Sequence, residues 1–222
     1  MKTFLPLIII IMSVFAFAGC RQDNVTPIRN VRFDPKLLNP MKVATNCTNY
    51  SYQAGSRLRN LGTMHTGKAV VAFPGNLTAT ARDQVLAKYG FVEGILSQSA
   101  GQAGTIYTIK LVSGLNCAQA EEALQVLSKD EAILYAGPSF IVDNNQTVGL
   151  SNEVMVKADA KNKAALQQLT DNYKARLIGP LGADTYLVQL DKHSKGNALQ
   201  FLNELSTEKG ITHAAPDFVL AP

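Results

Sequence analysis

The chain is poor in the residues that carry most catalytic chemistry. Its three histidines, His65, His193 and His213, are too dispersed for a metal site of recognisable spacing. There is no Gly-x-Ser-x-Gly elbow and no Asp, His and Ser constellation, so nucleophilic hydrolysis has no carrier. The three cysteines include no Cys-x-x-Cys pair, which argues against a redox role. Charged residues make up only 17% of the chain, and both signs are scattered, leaving a net charge of +4 and no nucleic-acid footprint. The carboxylate pairs Glu121-Glu122 and Asp130-Glu131 read as solvated helix faces and turns. Tyr89 and Tyr173 fall in helical core stripes and read as packing. No enzyme, metal or cofactor is expected.

What the chain does have is a repeat. Ile133-Leu-Tyr-Ala-Gly-Pro-Ser-Phe140 recurs as Ile211-Thr-His-Ala-Ala-Pro-Asp-Phe218, at a constant offset of 78. The apolar runs upstream follow a similar order in both copies, so these blocks close a repeated unit.

The apolar run Phe4 to Ala18, about 15 residues, follows Lys2 and is short of the roughly 20 that a spanning helix needs. It ends in Phe17-Ala18-Gly19-Cys20, which resembles a bacterial lipobox. The resemblance implies that residues 1–20 are a signal and that Cys20 is lipidated, holding the protein on a membrane through several acyl chains. An ordinary signal peptide cut elsewhere and an uncleaved anchor are the alternatives. The expected location is the bacterial cell envelope, with the outer membrane ahead of the inner. Cys47 and Cys117 then remain in an oxidising compartment, as one disulfide or as two free thiols.

Residues 21–67 are polar and carry Pro27, Pro35 and Pro40; they read as a tether, partly ordered near Cys47. Residues 68–143 form a first module. A strand at Ala69 to Phe73 is followed by a helix that Thr78 caps, with Ala81, Val85, Leu86 and Tyr89 on its stripe. Strands at Phe91 to Leu96 and Thr105 to Leu111 flank a loop at Gln98 to Gly104. Asn116 and Gln119 open a second helix as a capping box, and Ile133 to Val142 is the fourth strand. After a linker at Asn144 to Ser151, residues 152–222 repeat the order, with Ser194 as the expected cap of the last helix. The pattern β-α-β-β-α-β, twice, is α+β: two tandem ferredoxin-like sandwiches.

Val70-Val71-Ala72-Phe73-Pro74-Gly75, Lys88-Tyr89-Gly90 and Leu134-Tyr135-Ala136-Gly137-Pro138-Ser139-Phe140 together resemble the subtilisin-propeptide and inhibitor family, closest to prodomains of bacterial secreted subtilases. The second copy keeps Tyr173, Ala214, Pro216 and Phe218. Where the family has Glu in the closing block, this chain has Gly137 and Ala215. The resemblance implies a subtilisin-like protease as partner, with Val219, Leu220, Ala221 and Pro222 lying in its cleft like a product. The alternative for Phe218 to Pro222 is that they complete the edge strand. Two functions follow: a membrane-anchored protease inhibitor or folding assistant acting in trans, or an envelope interaction module binding another protein or a polysaccharide. The closing prolines lack an amide hydrogen and belong on an edge, or where a strand leaves its ladder.

Overall fold

The computed structural model describes residues 47–222 apart from Ser56, Asp143, Asn144, Ala183 and Lys209. The expected signal, Cys20 and residues 21–46 of the tether lie outside the described residues. A hairpin of β1 (Tyr50–Ala54) and β2 (Arg57–Gly62) comes first. It is followed by β3 (Lys68–Ala72), α1 (Ala79–Leu86), β4 (Val92–Ala100), β5 (Thr105–Leu111), α2 (Cys117–Ser128) and β6 (Tyr135–Val142). The same order returns in β7 (Gln146–Ala158), α3 (Lys163–Asn172), β8 (Arg176–Pro180), β9 (Thr185–Gln189), α4 (Ala198–Leu205) and β10 (Ile211–Leu220). The described chain is therefore α+β, with an antiparallel eight-stranded sheet and four α-helices.

Local chemistry explains most of the helix starts. The Thr78 hydroxyl accepts from the Ala81 amide at 3.2 Å. Asn116 and Gln119 form the expected capping box, at 2.8 and 2.9 Å. Such caps are worth about 1 kcal/mol each. The last helix departs from expectation: Asn197 caps it, with Gln200 completing the box. Ser194 sits in the turn before it, where its hydroxyl accepts from the Asp191 amide and donates to the Lys174 carbonyl.

Within each half the strand order is the same: β4-β5-β3-β6 in the first and β8-β9-β7-β10 in the second. The halves share one sheet because β6 changes partner midway. It pairs with β3 as far as Pro138, opposite Ala69, and from Ser139 onward it pairs with β7. A residue without an amide hydrogen stands at that handover. Pro216 of β10 sits beside a register shift, with its strand paired to β7. The expected linker at Asn144 to Ser151 is thus replaced, from Gln146 on, by the start of a 13-residue strand.

One apolar cluster runs through both halves. Val71, Ile109, Leu127 and Ile133 of the first half belong to it, as do Val154, Leu166, Phe201 and Leu205 of the second. A smaller cluster forms elsewhere from Val70, Ala72, Ile106, Tyr135 and Val219. Gly149 passes so close to Val70 that a Cβ there would overlap the valine side chain. The hairpin adds to the joining. Tyr50 and Tyr52, two residues apart and so on one face of β1, meet Phe140 and Phe218, with ring centroids 5.1 and 6.3 Å apart. Those two phenylalanines are the equivalent last residues of the repeated block. Cys47 and Cys117 are paired, their Cα atoms 5.6 Å apart, and the Thr48 amide and hydroxyl donate to Glu121 at 2.9 and 3.0 Å. Cys47 to Tyr52, within the stretch read as tether, are therefore tied to α2 and to the sheet.

Candidate functional site

The segment expected to occupy a protease cleft is the end of β10. Val219 is opposite Gly149 and Leu220 opposite Val148, and the Ala221 amide donates to the Thr147 carbonyl at 3.0 Å. The Lys68 ammonium donates to the Ala221 carbonyl at 3.0 Å. Val219 and Ala221 are buried, whereas Leu220 and Pro222 face solvent. The alternation is that of a strand with one packed face. Releasing this segment would expose Val219 and Ala221 and break both named hydrogen bonds. At typical values that costs roughly 4–5 kcal/mol, about three orders of magnitude in affinity.

Tyr135 gives a physical reason for one departure from the prodomain pattern. Its ring lies over Gly137, where any Cβ would collide with it, and its hydroxyl donates to the Leu150 carbonyl at 3.1 Å. Burial, and then the charge of Tyr50, raise the Tyr135 phenol far above the ordinary tyrosine range. A glutamate at position 137 would have to displace this buried ring. His213, the counterpart of Tyr135, is exposed.

The seam between the halves is polar and carefully bonded. Glu153 of β7, only 1% exposed, accepts from the Gln102 and Ala103 amides in the β4–β5 turn, at 2.9 and 2.8 Å. Gln189 of β9 donates to the Ala103 carbonyl at 3.3 Å and accepts from Arg176 of β8. Lys192 donates to the Asp130 carbonyl at 2.8 Å. Asp130 in turn accepts from Tyr89 at 2.7 Å and Lys88 at 3.4 Å. Burial acts to raise the Asp130 carboxyl, but the Ala132 amide, the Tyr89 hydroxyl and Lys88 outweigh it and hold the carboxyl below its ordinary value.

Beside these contacts a cleft opens along the seam. One recess, of about 250 Å³, is walled by Phe73, Tyr107, Arg82, Asn152, Arg176 and Gln189, among others. A second, of about 510 Å³, shares Asn152, Arg176 and Gln189 and adds Asp171, Lys174 and Asp191. Arg82 reaches the first recess from α1. Its guanidinium lies 4.7 Å from the Tyr107 ring centroid, within cation–π range, and donates to the Leu77 carbonyl at 2.6 Å. Two buried polar atoms of these walls, Arg82 Nε and Asn152 Oδ1, have no hydrogen-bond partner. Nothing in the sequence patterns flagged this cleft: its cations come from different halves, and each looks like a solvated surface residue on its own element. Among the described residues no group of histidine, cysteine and carboxylate side chains could hold a metal ion, and no helix is long and apolar enough to cross a membrane.

No family model and no curated protein matches the chain. Among solved structures, that of the Caenorhabditis elegans NONO-1 homodimer is similar at 13% identity, with a TM-score of 0.22. The match covers 71% of this chain and 62% of that one. A likeness this distant bears on neither fold nor function.

Proposed function

We propose that the chain is a non-catalytic binding protein of the bacterial cell envelope, anchored through lipid on Cys20. Its folded part would consist of two ferredoxin-like units fused into one sheet, acting as an interaction module rather than by inserting its last residues into a protease. The observation that carries this reading is the bonding of Val219 to Ala221 along β7, with both residues buried. The repeated strand order supports the paired ferredoxin-like units. Lipid anchoring rests on the lipobox-like Ala18-Gly19-Cys20.

The prodomain-like reading is the competitor, favoured by the motifs around Pro74-Gly75 and Lys88-Tyr89-Gly90. Inhibition of a broad-specificity subtilisin, and of a subtilase from the same organism, by the soluble chain from Arg21 separates the two. The chain ending at Phe218 serves as the comparison. The interaction-module reading expects inhibition by neither form. Tight inhibition by the full chain alone would replace that reading with a prodomain acting in trans.

A further inference from the structure

The cleft at the seam has a polarity that selects a ligand. The smaller recess is lined by two arginines and by no acidic side chain. Glu153, next to Asn152 in the chain, is already satisfied by the Gln102 and Ala103 amides. Arg82 is held in place by Tyr107 and the Leu77 carbonyl, so its charge is fixed before any ligand arrives. Aromatic walls lower the local dielectric and strengthen its field. The larger recess shares Asn152, Arg176 and Gln189 with the first, and adds Lys174 and the carboxylates of Asp171 and Asp191. Each carboxylate accepts one hydrogen bond, from Gln167 and from the His193 amide, and keeps further lone pairs for a donor. Two buried atoms of the lining residues, Arg82 Nε and Asn152 Oδ1, have no partner within the protein.

From this arrangement, and resting on the reading of the chain as a binding module, we propose that the seam cleft binds a small organic acid. Its carboxylate sits at Arg82 and Arg176, and hydroxyl or amino donors on the same molecule face Asn152 and the Asp171–Asp191 end. A ligand seated there touches both halves at once. Sugar acids and short peptides with a free carboxylate share this chemistry.

The test is titration of the soluble folded chain from Arg21, followed by the backbone amide resonances of Arg176, Gln189 and Leu190. The probes are D-galacturonate against D-galactose, and L-alanyl-L-alanine against its C-terminal amide. At least one carboxylate is expected to shift these resonances saturably. Its neutral analogue should bind about tenfold more weakly or worse, the value of one charged hydrogen bond. Whichever pair responds identifies the source. Arg176 is exposed, so Arg176→Gln should lose about tenfold in affinity with an unchanged melting temperature. Equal binding of a carboxylate and its neutral analogue would overturn the proposal, as would the absence of any saturable shift or full affinity in Arg176→Gln. None of these failures touches the protease assay, whose outcome alone decides between interaction module and prodomain.

Discussion

Replacing Glu153 by alanine should loosen the joint between the two halves. The carboxylate is almost fully buried and accepts two amides of the β4–β5 turn, at 2.9 and 2.8 Å. A hydrogen bond to a charged group is worth about 1.5–3 kcal/mol. The two amides sit in a partly buried turn, so water can replace some of what is lost. The expected cost is therefore about 2–4 kcal/mol rather than the full sum. Glu153→Gln keeps the shape and one acceptor and should cost about half as much. Urea unfolding followed by circular dichroism reads both values. Because the apolar cluster and the sheet run through both halves, the wild-type chain should unfold in one transition. A loss below about 0.5 kcal/mol in Glu153→Ala would refute the clamp, since that is the scale of an ordinary surface change.

Other perturbations have expected outcomes of their own. Gly149→Ala drives a methyl into Val70 and should lower stability by about 1–3 kcal/mol in the same urea assay, the usual cost of overpacking; a neutral result would mean that β7 does not pass this close. Reducing the Cys47–Cys117 pair, 70 residues apart, should cost up to about 4 kcal/mol, seen as a lower melting temperature in reductant. Acid should destabilise the fold partly through Asp130. Its folded carboxyl titrates below the ordinary 3.8, so its contribution is present above that value and is lost as the pH falls further. The alkaline side has the opposite sign. Burial comes first in pushing Tyr50, Tyr89 and Tyr173 up to about 12, so the stability tied to their neutral form is whole below pH 10 and fades as the pH climbs towards 12. Delayed phenolate absorbance in the folded chain checks this.

The repeat, its order of strands and helices, and two of the helix caps were legible in the sequence because they depend on local chemistry. Thr78, Asn116 and Gln119 announce their helices within three residues. Pro138 and Pro216 mark the two places where the ladder makes room for a missing amide. The seam was not legible, and the reason is physical. Gln146 to Glu153 are mostly polar or small, which is the composition of a linker, yet Ser151, Asn152 and Glu153 are buried. Their polarity is spent inside the fold: the Ser151 hydroxyl accepts from the Glu153 amide two residues on, the Asn152 side-chain amide donates to the Leu190 carbonyl, and the Glu153 carboxylate accepts from the β4–β5 turn. The β1–β2 hairpin hides for a similar reason. Most of its outward residues are polar, Leu58 excepted, and its inward Tyr50 and Tyr52 pack on Phe140 and Phe218. Ser194 was the expected cap of the last helix, but its hydroxyl is taken by the turn, and Asn197, three residues on, caps the helix instead. The cleft depends on Arg82 and Arg176, from different halves, lining one recess, which no local pattern encodes.

The most direct measurement is native-state hydrogen exchange at the Ala221 amide, the last donor along β7. If the final segment is an integral part of the sheet, this amide should be protected to nearly the same degree as the Met155 and Val156 amides deeper in the strand pair. Exchange at the rate of an unstructured peptide would mean that Val219 to Pro222 stand free, as a cleft-binding tail requires, and would return the chain to the prodomain-like reading.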